Sequence, residues 1–164
     1  YDLTVHSNHS KNELKYLDPE TNEKYTPYVI EPSVGCDRLT LAVLCDAYNE
    51  ETLEDGSTRE VMKLSPALAP YKVAVLPLVK KFHKEKAEEI YRMLSKHFMC
   101  TYDETGNIGK RYRREDAIGT PFCITIDDET INNGVVTVRD RDTMEQITLK
   151  VDEIVDYINN EIEF

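Results

Sequence analysis

The chain has 164 residues, 40% of them apolar and 31% charged, which is enough for an ordinary core and excludes a disordered or membrane-spanning chain as the default. Its formal net charge of −11 excludes a generally basic nucleic-acid coat, though not a local basic patch. Four cysteines at 36, 45, 100 and 123 show no C-x-x-C spacing. Cys45 and Cys123 sit in apolar runs and read as small buried hydrophobes in a reducing compartment, not as disulfides or zinc ligands.

In chain order, Tyr1 to His6 alternates and predicts a strand, and Tyr25 to Ile30 a second. An opening directly on a strand suggests a piece of something longer. Leu39 to Tyr48 is apolar on nearly all sides and predicts a buried helix. Asn49 to Thr58 is acidic and contains glycine, so a loop is expected. Ser65 to Pro70 carries two prolines and marks a boundary, giving segments 1–64 and 65–164. Lys72 to Leu78 predicts a strand buried on both faces, ending near Pro77. Val79 to Phe98 predicts an amphipathic helix with Val79, Phe82, Ala87, Ile90, Leu94 and Phe98 on one stripe. Met99 to Tyr102 predicts a strand, and a basic turn or short helix follows it. Phe122 to Ile126 is again a strand, so residues 72–126 read βαβαβ with parallel strands and packed helices. Asn132-Asn133-Gly134 is a turn signal. Val135 to Arg139 and Met144 to Lys150 form a hairpin, and an amphipathic helix carrying Ile154, Val155, Ile158 and Ile162 closes the chain through Phe164.

The stretch on which the chemistry turns is Gly106 to Asp127, GNIGKRYRREDAIGTPFCITID. Lys110, Arg111, Arg113 and Arg114 place four cations within five residues, and they repel one another unless compensated. Glu115 and Asp116 compensate in part, and a polyanion could do the rest. On charge alone, a solvated face is the commoner reading of so short a run. Arg139 and Arg141 in the hairpin, with Tyr112 between the arginines as a surface for stacking, shift it toward single-stranded RNA. His6-x-x-His9 points to opposite faces of the expected strand and is no metal site. Asp127-Asp128-Glu129 reads as an acidic loop at a strand end rather than a magnesium site.

The same stretch, with VTVRDRDT at 136–143, resembles the C-terminal anticodon-binding domain of glycyl-tRNA synthetases, and VIEPSVGCDR at 29–38 resembles motif 3 of this class II family. The resemblance implies an α/β fold: a mixed five-stranded sheet flanked by three helices, preceded by part of an antiparallel catalytic-domain sheet with one buried helix. It implies that Glu31 and Ser33 bind glycine, and that Arg38 holds ATP phosphates beside Gly35. It implies that Asn107, Lys110, Arg111, Arg113, Arg114, Glu129, Arg139 and Arg141 face the tRNA anticodon. Asp37 stands where many class II sequences carry Glu. The parent enzyme would attach glycine to tRNA using ATP and Mg²⁺, as a cytoplasmic homodimer with no membrane association. Motifs 1 and 2 lie upstream in the family, so the residues here form no complete catalytic set. This piece is therefore expected to be inactive, to carry no metal or cofactor and to bind glycine tRNA. A stand-alone RNA-binding protein would have no use for Glu31, Ser33 and Arg38. The EPS sequence before Gly35 and the GNIGKRYRR turn favour glycine over the sister enzymes for threonine, proline and histidine.

Overall fold

The computed structural model describes residues 1–163; Phe164, the last residue of the expected closing helix, lies outside the described residues. The chain divides into two compact units, 1–38 and 39–164.

In the first unit Tyr1 to His6 is helical, not extended: α1 is Asp2–Ser10. A strand needs a neighbour to satisfy its backbone, whereas a helix satisfies its own, and no described residue in 1–38 is buried. The expected strand 25–30 shrinks to β2 (Lys24–Tyr25), paired antiparallel with β1 (Tyr16–Leu17). Tyr28 and Ile30 are fully exposed. His6 and His9 lie on α1, one turn apart and exposed, and among the described residues no cluster could hold a metal.

Helix α2 (Cys36–Ala47) begins where that unit ends. It forms as expected, but it is not buried: Ala47 alone is covered, while Leu39, Leu41 and Leu44 are exposed, as is Cys45. Among the described residues of 39–163, its apolar packing is a small contact of Ala47 and Val43 with Leu64, Ala69 and Met62. The acidic stretch expected as a loop is a hairpin, β3 (Tyr48–Thr52) and β4 (Thr58–Met62), turning through Gly56 at φ 79°. Its alternation was hidden because only Asn49, Glu51, Arg59 and Val61 face inward, and three of those four are polar.

The rest is a mixed five-stranded sheet in the order β6-β5-β7-β8-β9: Cys100–Tyr102, Val73–Pro77, Phe122–Ile126, Val135–Asp140 and Gln146–Lys150. β5 pairs in parallel with β6 and β7, and β8 and β9 add antiparallel. Strand alternation divides the side chains between two faces. Val73, Val75, Phe122, Ile124, Val136 and Val138 pack against α3 (Lys80–Leu94) and α6 (Ile154–Ile162). Ala74, Leu76 and Cys123 pack on the other face against Ile108 and Tyr112 of α4 (Ile108–Ile118). On α3 the buried stripe is His83, Ala87, Ile90 and Leu94; Phe82 and Val79 are exposed. A short α5 (Asp128–Asn133) joins β7 to β8, in place of a bare turn, with Asp127 and Thr130 closing a capping box.

Gly119 ends α4 at φ 85°, and a Cβ there would lie 3.0 Å from the Met62 carbonyl oxygen, so both the backbone and the neighbouring hairpin require glycine. Asp116, fully buried one turn earlier, joins these elements. Its carboxylate accepts two bonds from Arg139 of β8 (2.8 and 3.1 Å) and one from Arg59 of β4 (3.1 Å). Arg59 also reaches Glu51 (2.6 Å) and the Arg141 carbonyl (2.8 Å). Two buried guanidiniums thus share Asp116, and partly buried Glu51 balances the second charge. Removing one partner of such a group leaves uncompensated charge at a cost of about 3–5 kcal/mol. Asp116→Ala is expected to lose about that much stability in urea denaturation, whereas a loss of less than ~1 kcal/mol, the scale of an exposed pair, would show that the pairing is not structural.

Candidate nucleic-acid interface

Helix α4 presents the basic run. Gly106, at φ 73°, turns the chain, and Asn107 caps the helix by accepting the Lys110 N–H at 2.9 Å. Helical geometry then distributes the four cations to different fates. Arg111 points inward and is buried, donating to the carbonyls of Pro77, Glu104, Thr105 and Gly106, which locks the β6–α4 loop onto the end of β5. Arg114 binds Asp103 and the Thr105 carbonyl at the surface. Arg113 is partly exposed and makes a long ion pair with Asp116 at 3.9 Å. Lys110 is exposed and makes no ion pair among the described residues. Of the two acidic neighbours, Asp116 compensates the run in part through its long pair with Arg113, whereas Glu115 does not. Glu115 is buried and accepts a bond from Thr120 Oγ1 at 2.7 Å, and burial pushes its carboxyl up from the usual range.

The hairpin arginines are buried too. Arg139 lies 4.8 Å over the Tyr112 ring while its guanidinium grips Asp116, and Tyr112 Oη bonds Thr125 Oγ1 at 2.6 Å. Arg141 spends its donors on Gly119 O, Leu64 O and the Asp142 carboxylate. Arg59, absent from the sequence-based set, is as buried as these. Its only sequence signal is a lone arginine alternating with Val61 in a run that reads as polar.

Asn107, Gly109, Lys110, Tyr112, Arg113, Arg139 and Met144 line a cleft of about 400 Å³ along α4. Its floor is an arginine–tyrosine stack, and its rim holds the exposed Lys110 and the partly exposed Arg113. Such an arrangement can hold phosphates at the rim and stack a base on the floor. Beside it, Thr137 and Thr148 share the sheet face of Arg139 and Gln146, so this face continues polar to the edge strand.

Glu129 is not brought to this cleft. It sits exposed in the first turn of α5 and accepts a bond from Asn133. Arg139 pairs with Cys123, near the opposite end of β7, and the four residues from Cys123 to Asp127 span ~13 Å of extended chain. Glu31, Ser33 and Gly35 lie along an irregular exposed segment, and Arg38 is exposed in the first turn of α2; neither Glu31 nor Arg38 makes an ion pair among the described residues.

Comparisons agree with this geometry. A family model described as an anticodon binding domain matches residues 72–161. The glycine–tRNA ligase of Clostridium tetani is 61% identical over this whole chain, which covers 35% of that protein. That of Geobacillus thermodenitrificans is 62% identical with the same coverage. The chain thus spans about a third of the length of the curated relatives it matches. The RNA binding domain of threonyl-tRNA synthetase from Cryptosporidium parvum Iowa II superposes with a TM-score of 0.56 at 25% identity, over 60% of this chain and 25% of that one. With its matched segment forming the five-stranded sheet and the helices that carry the cleft, the chain belongs to the anticodon-binding-domain family.

Proposed function

We propose that this chain is the C-terminal part of a cytoplasmic glycine–tRNA ligase and that it recognises the anticodon region of glycine tRNA. The single observation that carries this is the cleft along α4, within the segment matched to anticodon-binding domains. Identity of about 60% to glycine–tRNA ligases over the full chain, against 25% to the threonyl domain, favours glycine as the amino acid. In this reading residues 1–64 come from the catalytic domain and 65–164 form the anticodon-binding domain. Glu31 and Ser33 serve glycine, and Gly35 and Arg38 serve ATP, whose phosphates bind Mg²⁺, in a homodimeric parent enzyme.

The cations divide the work according to their surroundings. Lys110, Arg113 and Arg114 hold phosphates, which gives affinity without sequence information. Arg139 and Tyr112 form the floor on which a base stacks, and Asn107 offers its amide at the rim. Arg111 and Arg141 hold the scaffold that presents them. Glu129 lies farther along the sheet and, when ionised, only accepts hydrogen bonds, so it selects a second base edge rich in donors. Glu31, Ser33, Gly35 and Arg38 are all exposed here, whereas alignment of ATP with glycine is the main device such a site has. Glycine-dependent ATP–pyrophosphate exchange by this chain is therefore expected to be undetectable; turnover like that of a full-length ligase would refute the division of labour. Titration of glycine-tRNA anticodon stem-loops at two salt concentrations tests the binding half. Arg113→Ala is expected to weaken every loop alike and to reduce the salt dependence by about one counterion. Glu129→Ala is expected to leave affinity for phosphates intact and to erode discrimination between base-substituted loops by about 1–3 kcal/mol. An Arg113→Ala chain that binds like the parent at low salt would show the cleft to be a solvated face.

A further inference from the structure

Hairpin β3–β4 faces two ways. Inward, Arg59 and Val61 are buried against the body. Outward, Glu50 and Glu60 stand directly opposite each other across the strands, a pairing that costs stability. Glu54 and Asp55 add two more carboxylates at the tip. Glu51, Thr52, Leu53, Glu54 and Asp55 line an open cleft of about 640 Å³ with Met144. Met144, held at φ 60° by the turn between β8 and β9, is also a wall of the basic cleft, so the acidic and basic clefts meet at one side chain. Arg113 lines the basic cleft and, on its other side, a small cavity with Thr58, Arg59 and Glu60. Asp55 feels this closeness: hydrogen bonds from Ser57 foremost, and the charge of Arg113 with them, hold its carboxyl below the usual range.

We propose that this hairpin is an electrostatic guard on the basic cleft: Glu54, Asp55 and Glu60 hold down its affinity for unselected polyanions, so that a strand stays bound only if its bases are also satisfied. The inference rests on the nucleic-acid reading of the cleft. Phosphates drawn to Lys110 and Arg113 must approach these carboxylates. One unit charge at ~7 Å in water changes an affinity about threefold, and salt weakens the effect. Uniform repulsion of phosphate lowers binding of every strand, and contacts to base edges restore it only for the right one.

The test is the full chain carrying Glu54→Gln, Asp55→Asn and Glu60→Gln together, with Glu60→Gln alone as a second variant, each confirmed folded by circular dichroism. Affinity is measured for an oligouridylate strand and for a glycine-tRNA anticodon stem-loop, at low and moderate salt. The triple variant is expected to bind oligouridylate about tenfold tighter at low salt, with about threefold for Glu60→Gln alone. The preference for the stem-loop is expected to shrink, and both gains to fade as salt rises. Measurable oligouridylate binding that is the same in parent and variants overturns the guard alone. No binding of either RNA by any chain overturns the reading of the cleft and the guard with it.

Discussion

A buried carboxylate decides what this surface can do. Asp116 draws Arg139 down from the sheet and Arg59 across from the hairpin, and by holding both it fixes α4, β8 and β3–β4 in one arrangement. Arg139 is thereby set over the Tyr112 ring, 4.8 Å from its centre, instead of swinging into solvent. A carboxylate so buried is tolerable only because two guanidiniums meet it with good geometry, and they are tolerable only because it is there. The same pairing removes two cations from the pool available to a ligand. Arg111 and Arg141, spent on carbonyls, remove two more. What remains available along the cleft is the exposed Lys110 and the partly exposed Arg113, held only by a 3.9 Å pair with Asp116, with Arg114 shared with Asp103.

Function then follows from division rather than from charge density. A body with a net charge of −11 cannot attract RNA as a whole. It can do so through a narrow strip where the cations are exposed and an aromatic floor lies beneath, and acidic neighbours keep that strip from gripping any polyanion that passes. Two-sided construction of the sheet makes room for the strip. α3 and α6 share one hydrophobic face, whereas α4 covers only part of the other, leaving the polar half over β8 and β9 open.

Much of this was legible in the residues, and the limits have physical causes. The run KVAVLPL, the amphipathic stretch after it and FCITI declare buried strands and a helix, because alternation and helical period are direct consequences of which face is covered. His83 took the core position that Phe82 was expected to fill, because its ring nitrogens are satisfied there: Nδ1 accepts the Val79 N–H and Nε2 meets Asp128 at 3.0 Å. Hairpin β3–β4 escaped detection since three of its four inward residues are polar and two of them, Glu51 and Arg59, are held inward through ion pairing rather than apolarity. The apolar helix α2 was legible as a helix, but hydrophobicity states what a surface prefers and not what is present to cover it. For the site, spacing revealed that cations cluster but not which carbonyl or carboxylate each one meets. Four residues apart in sequence, Arg111 and Glu115 are both buried, while Arg113 between them faces out. Partners 57 and 23 residues away decided the fates of Arg59 and Arg139, and no local pattern encodes such distances.

The division of cations into held and free is the central claim, and a footprint tests it most directly. Amide chemical-shift perturbation of the full chain by a glycine-tRNA anticodon stem-loop is expected to be largest at 107–114, with smaller changes along 137–148. Residues 80–94, on the opposite face of the sheet and also rich in lysine, are expected to stay unperturbed. Perturbations centred on 80–94, with 107–114 silent, would contradict the account.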